Sequence, residues 1–190
     1  MESGKLIILS APSGSGKTTL VKFLLEQRTD LFFSVSATSR PRREHEIHGS
    51  DYFFLSEEEF RRNISHNAFL EWEEVYPGRF YGTLTEQVDL ALAKGKHIVF
   101  DVDVVGGLNI KKHYADRALA LFVMAPSPEV MAERLRNRAT DTEDSIRGRM
   151  EKATWELQFA REFDAIVMND NLDEAKKSLL ALVDKFLQNN

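Results

Sequence analysis

At 190 residues the chain is long enough for one compact domain that buries about 70% of its unfolded surface. Its composition is 43% hydrophobic and 29% charged with 5 prolines, 10 glycines and no cysteine, which excludes a disordered or collagenous chain, disulfides, cysteine zinc sites and thiol nucleophiles. A net charge of −5 argues against any general attraction for nucleic acid or anionic membrane, so a bound anion must be gripped locally.

In chain order, the N-terminus leads into a brief apolar run, Leu6 to Leu9, that reads as a buried strand. It is too short, and too acidic at its start, for a secretory signal, which makes a cytoplasmic address the default. The next residues are Ala11-Pro12-Ser13-Gly14-Ser15-Gly16-Lys17-Thr18, followed by an apolar helical run from Thr19 to Leu25. This is the strand, loop and helix setting of a Walker A phosphate loop. Small residues let the backbone wrap phosphate oxygens, N–H groups and the helix N-terminus supply positive potential, and Lys17 adds a cation. Thr18 offers a hydroxyl to magnesium. The first glycine of the usual pattern is Ala11 here, which removes one permissive backbone position.

Phe32 to Val35 predicts a second buried strand, and from about Thr38 to Gly82 the pattern changes. Asp51 to Leu55, Phe69 to Val75 and Arg79 to Tyr81 are strand-like pieces spaced for antiparallel pairing, Ser56 to Glu59 is a capping box, and Pro77-Gly78 marks a hairpin turn. A small α+β insertion follows from this. Thr83 to Glu86 reads as a further capping box whose helix Gly95 closes. Ile98 to Asp103 has the hydrophobic-then-acidic form of a Walker B strand end, with Asp101 and Asp103 as candidate magnesium carboxylates or helix caps.

Leu119 to Val123 lies in the longest apolar run, Ala118 to Ala125, far short of the roughly 20 residues a membrane-spanning helix needs. Ser127-Pro128 opens a helix carrying Arg134 and Arg136; Thr140 to Glu143 predicts a loop, and a second helix carries Arg147 and Arg149, then Met150, Trp155 or Leu157, Phe159 and Phe163 as core contacts. Ala165 to Val167 is the last strand. Strands alternating with helices predict an α/β core with a parallel sheet. His45 and His48 have no matching pair elsewhere and read as solvated loop residues, not metal ligands.

Ser36 to Phe54, with Arg40-Pro41-Arg42-Arg43 and Asp51-Tyr52, then Phe69-Leu70-Glu71-Trp72 and Phe80-Tyr81-Gly82-Thr83, resembles the substrate region of guanylate kinases. With the phosphate loop and the arginine-rich segment, the resemblance spans nearly the whole chain. It implies a P-loop NTPase core with a five-stranded parallel sheet flanked by helices (1–36, 84–126 and 150–190), an inserted GMP-binding lobe (37–83) and a helical lid (127–149). The implied reaction transfers the γ-phosphate of ATP to GMP, with magnesium as cofactor, small-molecule substrates, and neither nucleic acid nor membrane as partner. Nothing in the residues sets the oligomeric state, and a homo-oligomer is compatible with them.

The resemblance also implies roles. Arg40, Arg43, Tyr52 and Tyr81 would hold the phosphate of GMP; Glu71 would accept protons of guanine, with Ser36 and Thr83 on its other edge and Asp101 as a further acid on the GMP side. Residues 11–18 would bind ATP together with Arg134, Arg138 and Asn169, while Thr18 and Asp103 would lie by the metal, mostly through water. Lys17, Arg43, Arg138 and Arg149 would carry catalysis, and Arg136 would face solvent. The family usually shows Arg-x-Pro-Arg, whereas proline is displaced by one here, which leaves Arg42 as an alternative to Arg43. Three rival readings are disfavoured. A kinase for AMP or a pyrimidine nucleotide conflicts with Glu71, Ser36 and Thr83. A noncatalytic phosphopeptide-binding module conflicts with the intact Gly16-Lys17-Thr18, and a nucleotide-hydrolysing switch lacks a water-positioning residue.

Overall fold

A computed structural model of the chain describes residues 4–137 and 143–188. The first strand, β1 (Leu6–Ser10), is buried along its whole length, because its side chains supply both faces of a central sheet strand. Leu6 and Ile8 pack with Phe100, Phe122 and Phe163 on one face. Ile7 and Leu9 pack with Leu20, Leu24, Val123 and Leu179 on the other. α1 (Lys17–Gln27) and α7 (Leu172–Gln188) cover that second face, and α3 (Thr85–Ala93) and α4 (Val104–Tyr114) cover the first.

β2 (Leu31–Phe33), β7 (His97–Asp101), β8 (Ala118–Met124) and β9 (Ala165–Met168) complete a five-stranded sheet in the order β2-β7-β1-β8-β9. Every pairing in it is parallel, as the sequence pattern predicts. β1 ends at the centre, where the order reverses and α/β sheets bind ligands.

Between β2 and β7 the chain builds a second sheet in the order β4-β3-β6-β5, from β3 (Ala37–Thr38), β4 (Phe53–Phe54), β5 (Phe69–Tyr76) and β6 (Arg79–Leu84). α2 (Glu57–Ser65) packs on it. Phe60 of that helix stacks on Phe69 at 4.3 Å and on Phe80 at 5.4 Å, which gives this sheet a core of its own. The Ser56 capping box forms as expected, with Glu59 N donating to Ser56 Oγ and Ser56 N to Glu59 Oε2. The Pro77-Gly78 turn joins β5 to β6 with Gly78 at φ 74°.

Three expectations need correction. β2 is not a buried strand: it lies at the sheet edge, where Phe32 and Phe33 are 41% and 49% exposed. β4 pairs parallel to β3, not antiparallel to its neighbours, since residues 39–52 form a crossover of the dozen or so residues that a parallel pair needs. Thr83 does not cap α3: the cap position is Leu84, without a side-chain bond, while the Thr83 hydroxyl turns to Glu71. Of the alternatives Trp155 and Leu157 the structure selects Leu157: Trp155 is 45% exposed, because the buried stripe of α6 (Glu143–Leu157) runs through Ile146, Ala153 and Glu156, while Met150, Leu157, Phe159 and Phe163 make core contacts as expected. The Ser127 cap with Pro128 opens α5 (Pro128–Arg136) as predicted. Among the described residues no helix is long and apolar enough to cross a membrane.

Candidate active site

The phosphate loop leaves β1 and enters α1 through two left-handed glycines, Gly14 and Gly16, each at φ 87°. At such a φ a side chain is strained, and space is short as well: a Cβ on Gly16 would lie 2.3 Å from Asn169 Nδ2. Ala11 carries no positive φ, so its substitution for glycine imposes no backbone strain. Asn169, 4% exposed at the end of β9, donates through Nδ2 to Ser15 O at 2.8 Å. Its backbone carbonyl accepts from Arg134 Nη2 at 3.0 Å, while Arg134 Nη1 is buried with no partner among the described residues. Lys17 Nζ lies 2.7 Å from Asp101 Oδ1 and donates to Val102 O at 2.6 Å. The loop lines a cavity of about 300 Å³, walled by Thr18, Asp101, Val102 and Asp103 and, from α6, by Lys152 and Glu156.

A second cavity, about 210 Å³, lies between the two sheets and brings together Ser36, Tyr52, Glu71, Tyr81 and Asp101. Tyr52 and Tyr81 meet edge to face at 6.0 Å. Arg40 lies 5.0 Å over the Tyr52 ring, and Glu46 clasps its guanidinium at both oxygens, at 2.5 and 2.7 Å. That fork holds the Glu46 carboxyl down at about 2, helped by the Arg43 backbone N–H, and raises Arg40 further. Arg42 and Arg43 are both exposed, and neither lines the cavity. Burial pushes Glu71 up to about 7, against the Thr83 hydroxyl that donates to Oε1 at 2.5 Å and lowers it; Asp103 and Glu73 raise it further.

The two cavities share one wall, Asp101-Val102-Asp103 at the end of β7. Asp103 also caps α4 by accepting from Gly106 N at 2.7 Å, and its carboxylate lines both cavities. Gly106 leaves room for Glu71, since a Cβ there would come within 3.3 Å of Glu71 Oε2. The Thr18 hydroxyl and the Asp101 and Asp103 carboxylates are hard oxygen donors around the phosphate loop, a set that fits magnesium. Among the described residues no three acidic, cysteine or histidine side chains converge to hold a metal ion.

Of the lid arginines, Arg134 meets the loop through Asn169, Arg136 is exposed and reaches Glu143 at 3.5 Å, and Arg149 lies on α6 without lining the phosphate cavity. Arg138 and most of the Thr140 to Glu143 loop lie outside the described residues. Sequence reasoning missed Glu46, Gly106, Lys152 and Glu156. Only Glu46 had a local signal, an acid six positions from Arg40 in a charged turn.

Comparison with known proteins identifies relatives over nearly the whole chain. The family model described as guanylate kinase matches residues 3–186. A guanylate kinase of Bacteroides fragilis is 55% identical over 183 residues, covering 96% of this chain and 90% of that protein. One of Porphyromonas gingivalis is 47% identical, covering 96% and 98%. The crystal structure of guanylate kinase from Anaplasma phagocytophilum superposes with a TM-score of 0.73 at 26% identity, covering 100% of this chain and 89% of that one.

Proposed function

We propose, from the premise that this chain belongs to the guanylate kinase family and is an ATP:GMP phosphotransferase, that the transfer runs across the shared wall at Asp101 to Asp103. The carrying observation is the adjacency of the two cavities on that wall. ATP is read into the phosphate-loop cavity and GMP into the cavity of Glu71, with reacting oxygens facing each other at the end of β7.

Phosphoryl transfer through a loose transition state asks for alignment and charge neutralisation more than for covalent chemistry. Backbone N–H groups of residues 13–18 and the α1 N-terminus cradle the polyphosphate. Lys17 exchanges Asp101 for phosphate oxygens, and Arg134 brings an unpartnered buried N–H to the same loop. Arg138 and Arg149 are read as arriving from the lid. In the other cavity Tyr52, Tyr81 and Arg40 hold the GMP phosphate, Arg40 pre-set by Glu46, with Arg43 or Arg42 closing in from its exposed turn. Ionised Glu71 accepts from guanine N1–H and the exocyclic amine, while Ser36 and Thr83 address its other edge. Adenine offers no such donor pair, and a buried carboxylate left unpaired is costly. Thr18 and Asp103 would hold magnesium, mostly through its water, and the ion supplies neutralisation of charge on the phosphates when bound. Residues 37–83 act as the GMP lobe, 127–149 as the lid and the remainder as the core. Nucleotide substrates and a cysteine-free chain favour a cytoplasmic setting.

A coupled assay over GMP, AMP, CMP and UMP tests the substrate assignment: GMP turns over fastest, and faster turnover of AMP would overturn it. In Lys17→Ala, kcat falls by at least about a hundredfold while GMP affinity measured by calorimetry largely survives. An equal loss of GMP affinity would contradict the division of labour between the cavities.

A further inference from the structure

Glu156 has a setting that the roles above leave unexplained. It lies on α6 at 5% exposure, yet no hydrogen bond reaches its carboxylate from any described residue. The carboxylate opens onto the phosphate-loop cavity and onto the neighbouring cavity beside Glu71. Its oxygens are not sealed from those cavities, so the donors that satisfy the carboxylate come from whatever fills them.

The two nearby cations among the described residues, Lys17 and Lys152, are engaged elsewhere. Lys17 is held by Asp101 and the Val102 carbonyl, and Lys152, one turn earlier on the same helix, reaches Glu73 Oε1 at 3.6 Å. Phosphate oxygens are acceptors like those of Glu156 and would repel it. What suits a carboxylate facing a polyphosphate is a positively charged body with hydrogen-bond donors on its surface, lying between the two. A hydrated divalent cation has both properties, and among the described residues no three side chains clasp a bare one. Magnesium gives up its water reluctantly and is commonly held through that water.

We propose that Glu156 is a positioning residue for the hydrated magnesium ion of ATP, accepting hydrogen bonds from metal-bound water alongside Asp103. The proposal rests on the reading of Thr18 and Asp103 as neighbours of that ion. Its consequence is that α6, the helix that also carries Arg149, is pinned to the metal and so registers whether ATP has come with magnesium.

Calorimetry of ATP binding, with magnesium and with EDTA, separates the possibilities in wild type and Glu156→Gln. Wild type binds ATP more tightly with magnesium. Glu156→Gln loses roughly tenfold of that gain, as outer-shell partners of metals typically do, while its metal-free ATP affinity is unchanged or improved because a negative charge facing phosphate is gone. Glu156→Asp, which keeps the charge, retains part of the gain and serves as the test if the glutamine variant fails to fold; a gain no better than that of metal-free binding in the aspartate variant overturns the proposal. Equal weakening with and without magnesium in Glu156→Gln assigns the residue to helix packing or to Lys152 and also overturns it, as does a full magnesium gain in that variant. If magnesium leaves wild-type affinity unchanged, the reading of Thr18 and Asp103 fails and takes this proposal with it.

Discussion

Glu71 carries two opposing demands. Ionised, it matches the donors of guanine; buried, it resists ionisation, and its carboxyl rises from 4.5 to about 7. A carboxyl raised on folding contributes stability that is complete below 4.5 and is lost as pH climbs through 7. At about 1.36 kcal/mol per pKa step, the ionised form costs on the order of 3 kcal/mol. Glu71→Gln keeps an oxygen for the Thr83 hydroxyl and removes that cost. It therefore raises Tm at pH 8 by roughly 6–12 °C, an effect that fades toward pH 4 in pH-resolved calorimetry. The same variant loses its preference for GMP. Guanosine, which has no phosphate to titrate, binds wild type more tightly as pH rises through 7, and a flat profile would remove Glu71 from base recognition. Glu71 and Lys17 were legible because their motifs are local strings. Glu156 and Gly106 were not, because a buried acid on a helix and a glycine beside a carboxylate acquire meaning only when α4, α6 and β5 are brought together.

Among the elements, those set by residues within four positions of each other were readable in advance. The Ser56 box, the Ser127-Pro128 start and the Pro77-Gly78 turn all form where the sequence puts them. The failures come from distant partners. Thr83 has a capping sequence, but its backbone pairs with Glu71 in β6 and its hydroxyl follows. β3 holds only Ala37 and Thr38, too short to leave a periodic signal, and without it the direction of β4 had no reference. The phosphate loop is the element most dependent on backbone conformation. Gly16→Ala forces a Cβ into the left-handed region, at about 1–2 kcal/mol, and against the Asn169 amide that braces Ser15. A fall in Tm of roughly 3–6 °C together with at least a tenfold loss of ATP affinity is expected by calorimetry, with GMP affinity nearly intact. Retention of ATP affinity would mean that the loop tolerates a shift at its brace.

For the whole molecule, the net charge of −5 conceals cations gathered at Lys17, at Arg40 to Arg43 and along Arg134 to Arg149. The two sheets have separate cores. Lys152 of α6 reaches Glu73 of β5 by an ion pair of 3.6 Å between half-exposed side chains, a contact of little energy. β5 also packs on the core through Leu70 and on α4 at Gly106, so the α6 contact can change while that packing holds. Small-angle scattering should record a smaller radius of gyration when ADP and GMP are both present than with either alone; identical curves would indicate that the cleft does not narrow on loading.

The place of β1 has a consequence for synthesis. It precedes its sheet neighbours in the chain by about ninety residues or more, yet Leu6 pairs with Ile98 on one side and Ala118 on the other. At about 5–20 residues per second, its apolar run Leu6 to Leu9 waits on the order of 5–20 s for either neighbour. During that time the nascent segment is a natural client for a chaperone at the exit tunnel, and the phosphate loop attached to it cannot yet hold a nucleotide.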